Sequence, residues 1–191
     1  MMITTFLAYL LIACYFVMER SLRKGEQALS LQVGSSDRGS SRLIWATGLF
    51  NILTVLLAPI FNTYHIGYWD KVYMGWMGVL LMIGGITLHY WAAKTLGEFY
   101  TRTLQIIEGH HIVEQGLYSM IRHPGYLGTF IMDIGAGLAV TNWIVLLIIT
   151  LTGIVSRAYR IRAEEEMLKT AFGEKYQVYL EKTWRFVPFI Y

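Results

Sequence analysis

An unusual density of polar side chains lies in residues 109–126, between long apolar runs. This stretch reads GHHIVEQGLYSMIRHPGY, and its histidines, arginine and tyrosines are donors and acceptors suited to a charged small molecule. Gly116 and Gly125 let the backbone bend or approach a ligand closely. Pro124 biases His123 toward extended geometry and marks the start of the next helix. The polar residues of interest are His110, His111, Tyr118, Arg122, His123 and Tyr126.

A second polar cluster lies at residues 160–166. Arg160 and Glu164 are four residues apart, so they share one face of a helix, and Glu165 and Glu166 sit beside them. Together the two clusters suit a small zwitterion such as S-adenosylmethionine: Arg or His for its carboxylate, Glu for its ammonium or ribose, and Tyr for its sulfonium. No GxGxxG motif follows a strand, so a soluble dinucleotide-binding fold is excluded.

Composition predicts an integral membrane protein. The chain is 55% hydrophobic and 15% charged, whereas a soluble domain is about a quarter charged. The net charge of +3 comes without a basic stripe, so no nucleic-acid partner is expected. Cys14 is the single cysteine, which excludes an internal disulfide and a cysteine-based metal site.

The apolar runs predict an all-α polytopic fold with about five transmembrane helices. The first run looks like a retained span and not a signal peptide. Residues 124–156 are too few for two full spans of about 20 residues each, so we expect a helical hairpin turning at Thr141-Asn142. Its second helix continues through Arg157 and Arg160, with a break at Gly173. The other spans are predicted at residues 1–18, 43–64 and 72–93. An aromatic tail at the C-terminus is predicted to lie on the membrane surface; it consists of Trp184, Phe186, Phe189 and Tyr191.

The distribution of Lys and Arg predicts the orientation. The loop after the first span contains five Lys or Arg residues, and the next turn contains one. The segment after the third span contains three, the hairpin turn contains none, and the C-terminal part contains seven. The positive-inside rule then puts the N-terminus outside and the C-terminus, with both polar clusters, in the cytoplasm. The first loop, which follows Glu19-Arg20 and extends to Arg42, is rich in Gly and Ser, so we expect it to be flexible and to contribute little to function.

Residues 96–188 resemble the isoprenylcysteine carboxyl methyltransferase family of membrane methyltransferases, including its short prokaryotic members. The motifs occur in the family's order and spacing, and their combination is specific although each alone is weak. They are Leu96-Gly97 with Tyr100-Thr101, His110, Ile112-Val113, Gly116, Tyr118, Arg122-His123-Pro124-x-Tyr126, Gly137, Asn142-Trp143, Arg160, Glu164-Glu165, Phe172-Gly173, Tyr176, Tyr179 and Pro188.

The resemblance implies methyl transfer from S-adenosylmethionine to the carboxylate of an isoprenylcysteine-like or other lipophilic acceptor in a prokaryotic inner membrane. Arg122 or Arg160 would orient that carboxylate, and the acceptor would arrive laterally between the third span and the hairpin. Residues 1–93 would form three membrane helices and 94–191 the catalytic region. The implied cofactor-binding residues are His110, Val113, Gly116, Tyr118, Arg122, His123, Pro124, Tyr126, Glu164 and Glu165.

Two departures from the family pattern leave the acceptor open. Asp133 stands where apolar residues are usual, and it is either functional or paired inside the bundle with His89 or a backbone group. Tyr100 replaces a tryptophan. We expect His89 to pack within the bundle. We expect no metal site formed by His110, His111 and His123, because their spacing is not that of a helical pair.

Other reactions remain open. A phospholipid or small amphiphile is an alternative methyl acceptor, and an NADPH-dependent membrane sterol or enone reductase is an alternative enzyme, although it calls for extra basic residues for the 2′-phosphate. The combination of the RHPxY motif with Arg160 and Glu164-Glu165 favours methyl transfer. A transporter is disfavoured because the spans show no internal repeat.

Overall fold

The computed structural model describes residues 2–23, 37–101, 103–107 and 109–188. Within these ranges the chain is helical, with two isolated bridges, Tyr68 to Asn142 and Ile121 to Trp184, and no longer strand. The predicted all-α fold is confirmed. The helices are α1 (Met2–Leu22), α2 (Ser40–Thr63), α3 (Val72–Leu96), α4 (Pro124–Ala139), α5 (Trp143–Phe172) and α6 (Glu174–Lys182).

Four helices, α1, α2, α3 and α5, are long and apolar enough to cross a membrane. Their outer faces carry exposed apolar side chains, for example Leu49, Leu80 and Val155, which water would penalise and lipid accommodates. The fifth predicted span, α4, has 16 residues and is shorter than the roughly 20 needed for a perpendicular crossing. The prediction of a multi-pass membrane protein is confirmed, with α4 as a short member of the hairpin.

The hairpin between α4 and α5 turns at Thr141-Asn142, as predicted. Asn142 caps α5 by accepting a hydrogen bond from the Val145 backbone at 3.0 Å. Its amide donates to the Ile66 carbonyl at 2.8 Å and to the Asn62 side chain at 2.7 Å. One side chain therefore ends the turn and fixes it to the connection between α2 and α3.

Helix α5 continues beyond the predicted membrane segment and ends at Gly173, as predicted. Gly173 has a φ of +53°, a conformation that favours glycine. With 30 residues, α5 is about 45 Å long, against a hydrocarbon core of about 30 Å. Helix α6 then folds back, and the buried Tyr179 donates to the Tyr118 carbonyl at 2.7 Å. Helix α6 is thereby held against the segment that precedes α4.

Glycines bring the backbones of α3 and α4 into direct contact. A Cβ atom added at Gly85 would lie 2.5 Å from the Gly128 carbonyl oxygen, and one at Gly78 would lie 2.3 Å from the Ala139 nitrogen. Such contacts are typical of closely packed membrane helices. They close the face between the third span and the hairpin, so the predicted lateral path for the acceptor at this interface is wrong.

This interface yields a prediction with a built-in control. Gly85→Ala is expected to lower the unfolding free energy by about 1–3 kcal/mol relative to Gly84→Ala, because the new methyl group would meet the α4 backbone. A Cβ atom added at Gly84 would meet no other atom within 4 Å. Both substitutions bring the same gain in helix propensity, so the difference between them reports the helix contact. Thermal unfolding of the two detergent-purified variants measures the difference. Equal midpoints would contradict the packing described here.

Candidate functional site

Most of the predicted site residues line a cavity of about 1110 Å³ between the membrane helices and the segment before α4. One part of its wall is polar, whereas Ile52, Val55 and Ile149 form part of an apolar wall. Gly116, Pro124 and Glu165 do not line it. The sequence-predicted residues that line it are His110, Val113, Tyr118, Arg122, His123, Tyr126, Arg160 and Glu164.

Tyr126 joins the two polar clusters. Its hydroxyl donates to the Glu164 carboxylate at 2.7 Å and accepts from the Arg160 Nε at 3.1 Å. The RHPxY segment and α5 are therefore connected by hydrogen bonds, so the two clusters that the sequence placed in one site lie next to each other. Glu164 forms no ion pair with any residue in the described ranges, which leaves its negative charge available to a cationic ligand in the cavity.

Glu165 has a different environment from its neighbour Glu164. It is 3% exposed and lies 3.1 Å from the Arg122 Nε and 3.3 Å from the His123 Nε2, and it also pairs with Arg185. Arg122 in addition donates to the Leu180 carbonyl at 3.0 Å. These contacts hold the RHPxY segment, α5 and the C-terminal segment together, so Glu165 acts on the cavity through the residues that it positions.

Arg160 is anchored by residues that the sequence did not single out. Its NH1 group donates to Asp37 at 2.8 Å and to the hydroxyls of Ser40 and Ser41 at 2.9 and 2.6 Å. Burial acts to raise the pKa of the fully buried Asp37, but hydrogen bonds from Ser41 and Ser40 and the charge of Arg160 outweigh it and lower that pKa. For residues 37–41 the expectation of a flexible, unimportant loop is wrong; residues 24–36 lie outside the described ranges.

Glu19, a buried carboxylate that lies on the cavity wall, was also missed in the sequence analysis. It is 6% exposed and lies 2.6 Å from the His89 Nε2 and 2.6 Å from the Tyr100 hydroxyl, and it pairs with Arg23. Burial and the Glu19 charge raise the pKa of Tyr100, which keeps its hydroxyl a donor. The expectation that His89 packs within the bundle is confirmed. The sequence signal that could have identified this ion pair is the four-residue spacing of Glu19 and Arg23, which puts both side chains on one face of α1.

Asp133 pairs with Arg157, at 2.8 Å between Oδ2 and NH2. His89 is bound to Glu19 instead, so the suggested pairing of Asp133 with His89 is wrong. The Asp133–Arg157 pair connects α4 to α5, and both side chains line the cavity.

His110 presents a buried polar atom without a partner. Its ring stacks on Phe99 with centroids 4.6 Å apart, and its Nδ1 has no hydrogen-bond partner within the described ranges. Burial, and then the neighbouring His111, lower the pKa of His110 and favour the neutral ring. Among the described residues no group of three or more His, Cys, Asp or Glu side chains is arranged to hold a metal ion. The unused Nδ1 and the unpaired Glu164 suit an organic cation with further polar groups.

The helices and the cavity define a multi-pass membrane protein with a polar ligand site next to an apolar chamber. The family model described as the isoprenylcysteine carboxyl methyltransferase family matches residues 77–170, a range that includes the RHPxY segment and Glu164-Glu165. This match and the relatives below support membership of the chain in the isoprenylcysteine carboxyl methyltransferase family.

The relatives described next come from eukaryotes. A probable protein-S-isoprenylcysteine O-methyltransferase of Oryza sativa subsp. indica is 30% identical over 125 residues, 64% of each chain. Protein-S-isoprenylcysteine O-methyltransferase B of Arabidopsis thaliana is 32% identical over 115 residues, 59% of this chain and 58% of the relative. A solved structure of the eukaryotic intramembrane Ras methyltransferase of this family superposes with a TM-score of 0.62 at 25% identity, covering 77% of this chain and 52% of that one. The chain thus spans less than two thirds of the length of these relatives.

Proposed function

We propose that the protein is an S-adenosylmethionine-dependent methyltransferase that methylates the carboxylate of an isoprenylcysteine-like or other lipophilic acceptor. The observation that carries the proposal is the composition of one cavity. The Tyr126–Glu164 pair lies on its polar wall, and side chains of the membrane helices form its apolar wall. A charged methyl donor and a lipid-like acceptor need such a combination, and family membership supports it.

The cofactor supplies a methyl group on a cationic sulfur when it is bound. We propose that Glu164 takes its ammonium or ribose hydroxyls, because this carboxylate accepts from Tyr126 and forms no direct ion pair with a described residue. The unpaired Nδ1 of His110 would bind a further polar group. Burial raises the pKa of Tyr118 well above its ordinary value, so its hydroxyl remains a donor at the cavity wall.

The remaining predicted residues would shape this pocket. Val113 lines the cavity beside His110. Gly116 adopts a φ of +57° in the turn that carries Tyr118, and Pro124 begins α4 directly after His123. We propose that Gly116 and Pro124 hold the backbone of the pocket, as Glu165 holds Arg122 and His123.

Methylating a carboxylate places few demands on proton chemistry, because a carboxylate is ionised at neutral pH. The protein has to orient the acceptor and exclude water. Both arginines proposed for this role already have carboxylate partners, Glu165 for Arg122 and Asp37 for Arg160. We propose Arg160 as the orienting residue, because it also bonds Tyr126 and thereby sits next to Glu164.

We further propose that the site faces the cytoplasm of a prokaryotic inner membrane, with the N-terminus outside, because the Lys and Arg residues concentrate on that side. Residues 94–191 would supply the cofactor-binding residues. The first 93 residues would contribute acceptor-binding surface as well as membrane helices, since α1 and α2 form much of the cavity wall.

The test is calorimetric binding of S-adenosylhomocysteine and, separately, NADPH to the detergent-purified protein. We expect saturable S-adenosylhomocysteine binding that Glu164→Gln weakens roughly 10- to 100-fold, the value of a hydrogen bond to a charged group. The matched control is Glu166→Gln, because the Glu166 side chain is 55% exposed and contacts Arg38 at the surface. Its affinity should match that of the parent.

The alternative functions predict other outcomes of the same titration. Binding of NADPH in place of S-adenosylhomocysteine would replace the proposal with a reductase. If S-adenosylhomocysteine binds, methylation of S-farnesylcysteine and of phosphatidylethanolamine, measured with a labelled methyl donor, distinguishes a carboxylate acceptor from a phospholipid headgroup.

A further inference from the structure

The Asp133–Arg157 ion pair lies on the cavity wall, apart from the residues assigned to the cofactor. Arg157 is 8% exposed and the Asp133 side chain is 18% exposed, so both charges are largely removed from solvent. Burying such a pair costs about as much as the attraction returns, and a well-packed apolar pair is often at least as stabilising. Stability alone therefore does not account for two charges at this position.

The position of the pair relative to the cofactor site follows from the two helices. Asp133 lies seven residues after Tyr126 on α4, and Arg157 lies seven residues before Glu164 on α5. At about 1.5 Å per residue, both helices put the ion pair about 10 Å from the Tyr126–Glu164 contact, in the direction of the hairpin turn. The pair is thus alongside the chain of an acceptor whose reacting group lies near Tyr126 and Glu164.

Arg157 retains hydrogen-bonding capacity at this point. Its Nε donates to Thr129 at 3.3 Å and its NH2 to Asp133 at 2.8 Å, whereas its NH1 has no acceptor within the described ranges. The NH1 atom lies beside Gly153, where an added Cβ atom would be 2.7 Å away. From the other wall, the Asn51 side chain of α2 faces Asp133 and accepts a hydrogen bond from the Thr152 hydroxyl at 2.7 Å. The cavity wall therefore carries a charge-balanced pair in which one nitrogen of Arg157 has no acceptor among the described residues.

We propose that Asp133, Arg157 and Asn51 form a second polar subsite, which recognises an uncharged oxygen in the acceptor's chain about 10 Å from the group to be methylated. The oxygen would be a hydroxyl or carbonyl that accepts from Arg157. A charged group is disfavoured because Asp133 already balances Arg157 and a third buried charge would have no counterion. The subsite rests on the proposed function, since it assumes an acceptor in this cavity.

The experiment compares two probes by equilibrium binding to the full chain in detergent: S-farnesylcysteine, and an analogue with a keto oxygen on the second isoprene unit. We expect the keto probe to bind about tenfold more tightly, the lower value for a hydrogen bond to a charged donor. The double variant Asp133→Leu, Arg157→Met should bind both probes equally, and apolar replacement of both partners is compatible with folding. Gly153→Ala, which displaces the NH1 group, should reduce the preference while keeping the ion pair.

Two measurements separate failure of the subsite from failure of the proposed function. Equal or weaker binding of the keto probe by the parent protein, or no binding of either probe, overturns the subsite. So does a preference that survives in the double variant. Methylation is recorded independently: if the keto probe binds more tightly but neither probe is methylated, the subsite stands and the proposed reaction fails.

Discussion

Replacing Glu165 with alanine is expected to lower the unfolding free energy by about 3–5 kcal/mol, the cost of leaving buried partners of an ion pair uncompensated. Its carboxylate faces Arg122, His123 and Arg185, and it is 3% exposed. Without it, the guanidinium groups of Arg122 in the RHPxY segment and of Arg185 in the C-terminal segment would lose their shared carboxylate and repel each other. We expect S-adenosylhomocysteine binding to disappear together with the folded arrangement, as measured by thermal unfolding and calorimetry.

The neighbouring glutamates are matched controls for this prediction. Glu164→Ala should remove ligand binding while leaving the unfolding midpoint close to that of the parent, because Glu164 has no ion-pair partner among the described residues. Glu166→Ala should affect neither quantity, because its exposed pair with Arg38 contributes about 0–1 kcal/mol. A Glu165→Ala protein that unfolds at the parent's midpoint would show that the three segments are held together by other contacts.

Arg160→Leu is expected to destabilise the protein by a similar amount, about 3–5 kcal/mol, because it leaves the fully buried Asp37 without its cation. Adding Asp37→Asn to the same chain should recover much of the loss, since the uncompensated charge is then gone. Unfolding midpoints of the two single variants and the double variant complete a double-mutant cycle. Additive effects of the two substitutions would contradict a direct interaction.

The same ion pair makes a prediction for pH. The pKa of Asp37 is lower in the folded protein than its ordinary value of about 3.9, so its ionised form stabilises the fold. This contribution is fully present above the ordinary pKa and is lost as the pH falls through the lowered one. Part of the acid sensitivity of unfolding should therefore disappear in Asp37→Asn. Exposed Arg38 is the control position, and Arg38→Ala should leave the acid limb unchanged.

Local features of this protein were predictable from the sequence. The hydropathy of long runs predicted the membrane helices, and the polar pair Thr141-Asn142 predicted the hairpin turn, because both depend on residues close together in the chain. The break at Gly173 follows from the freedom of glycine to adopt a positive φ. The four-residue spacing of Arg160 and Glu164 predicted that both lie on one helix face, and in the structure both contact Tyr126 of the RHPxY motif.

The tertiary structure decided which residues serve the cavity and which hold it together. Three consecutive glutamates are equivalent in a sequence, but the rotation of α5 against its neighbours directs Glu164 to the cavity and Glu165 to buried cations. Asp37 meets Arg160 across 123 residues, a distance over which no periodicity carries information. The glycine contact of Gly85 with α4 closes the path that the sequence suggested for the acceptor. Such pairings depend on how helices pack, because burial and backbone approach are properties of the assembled bundle.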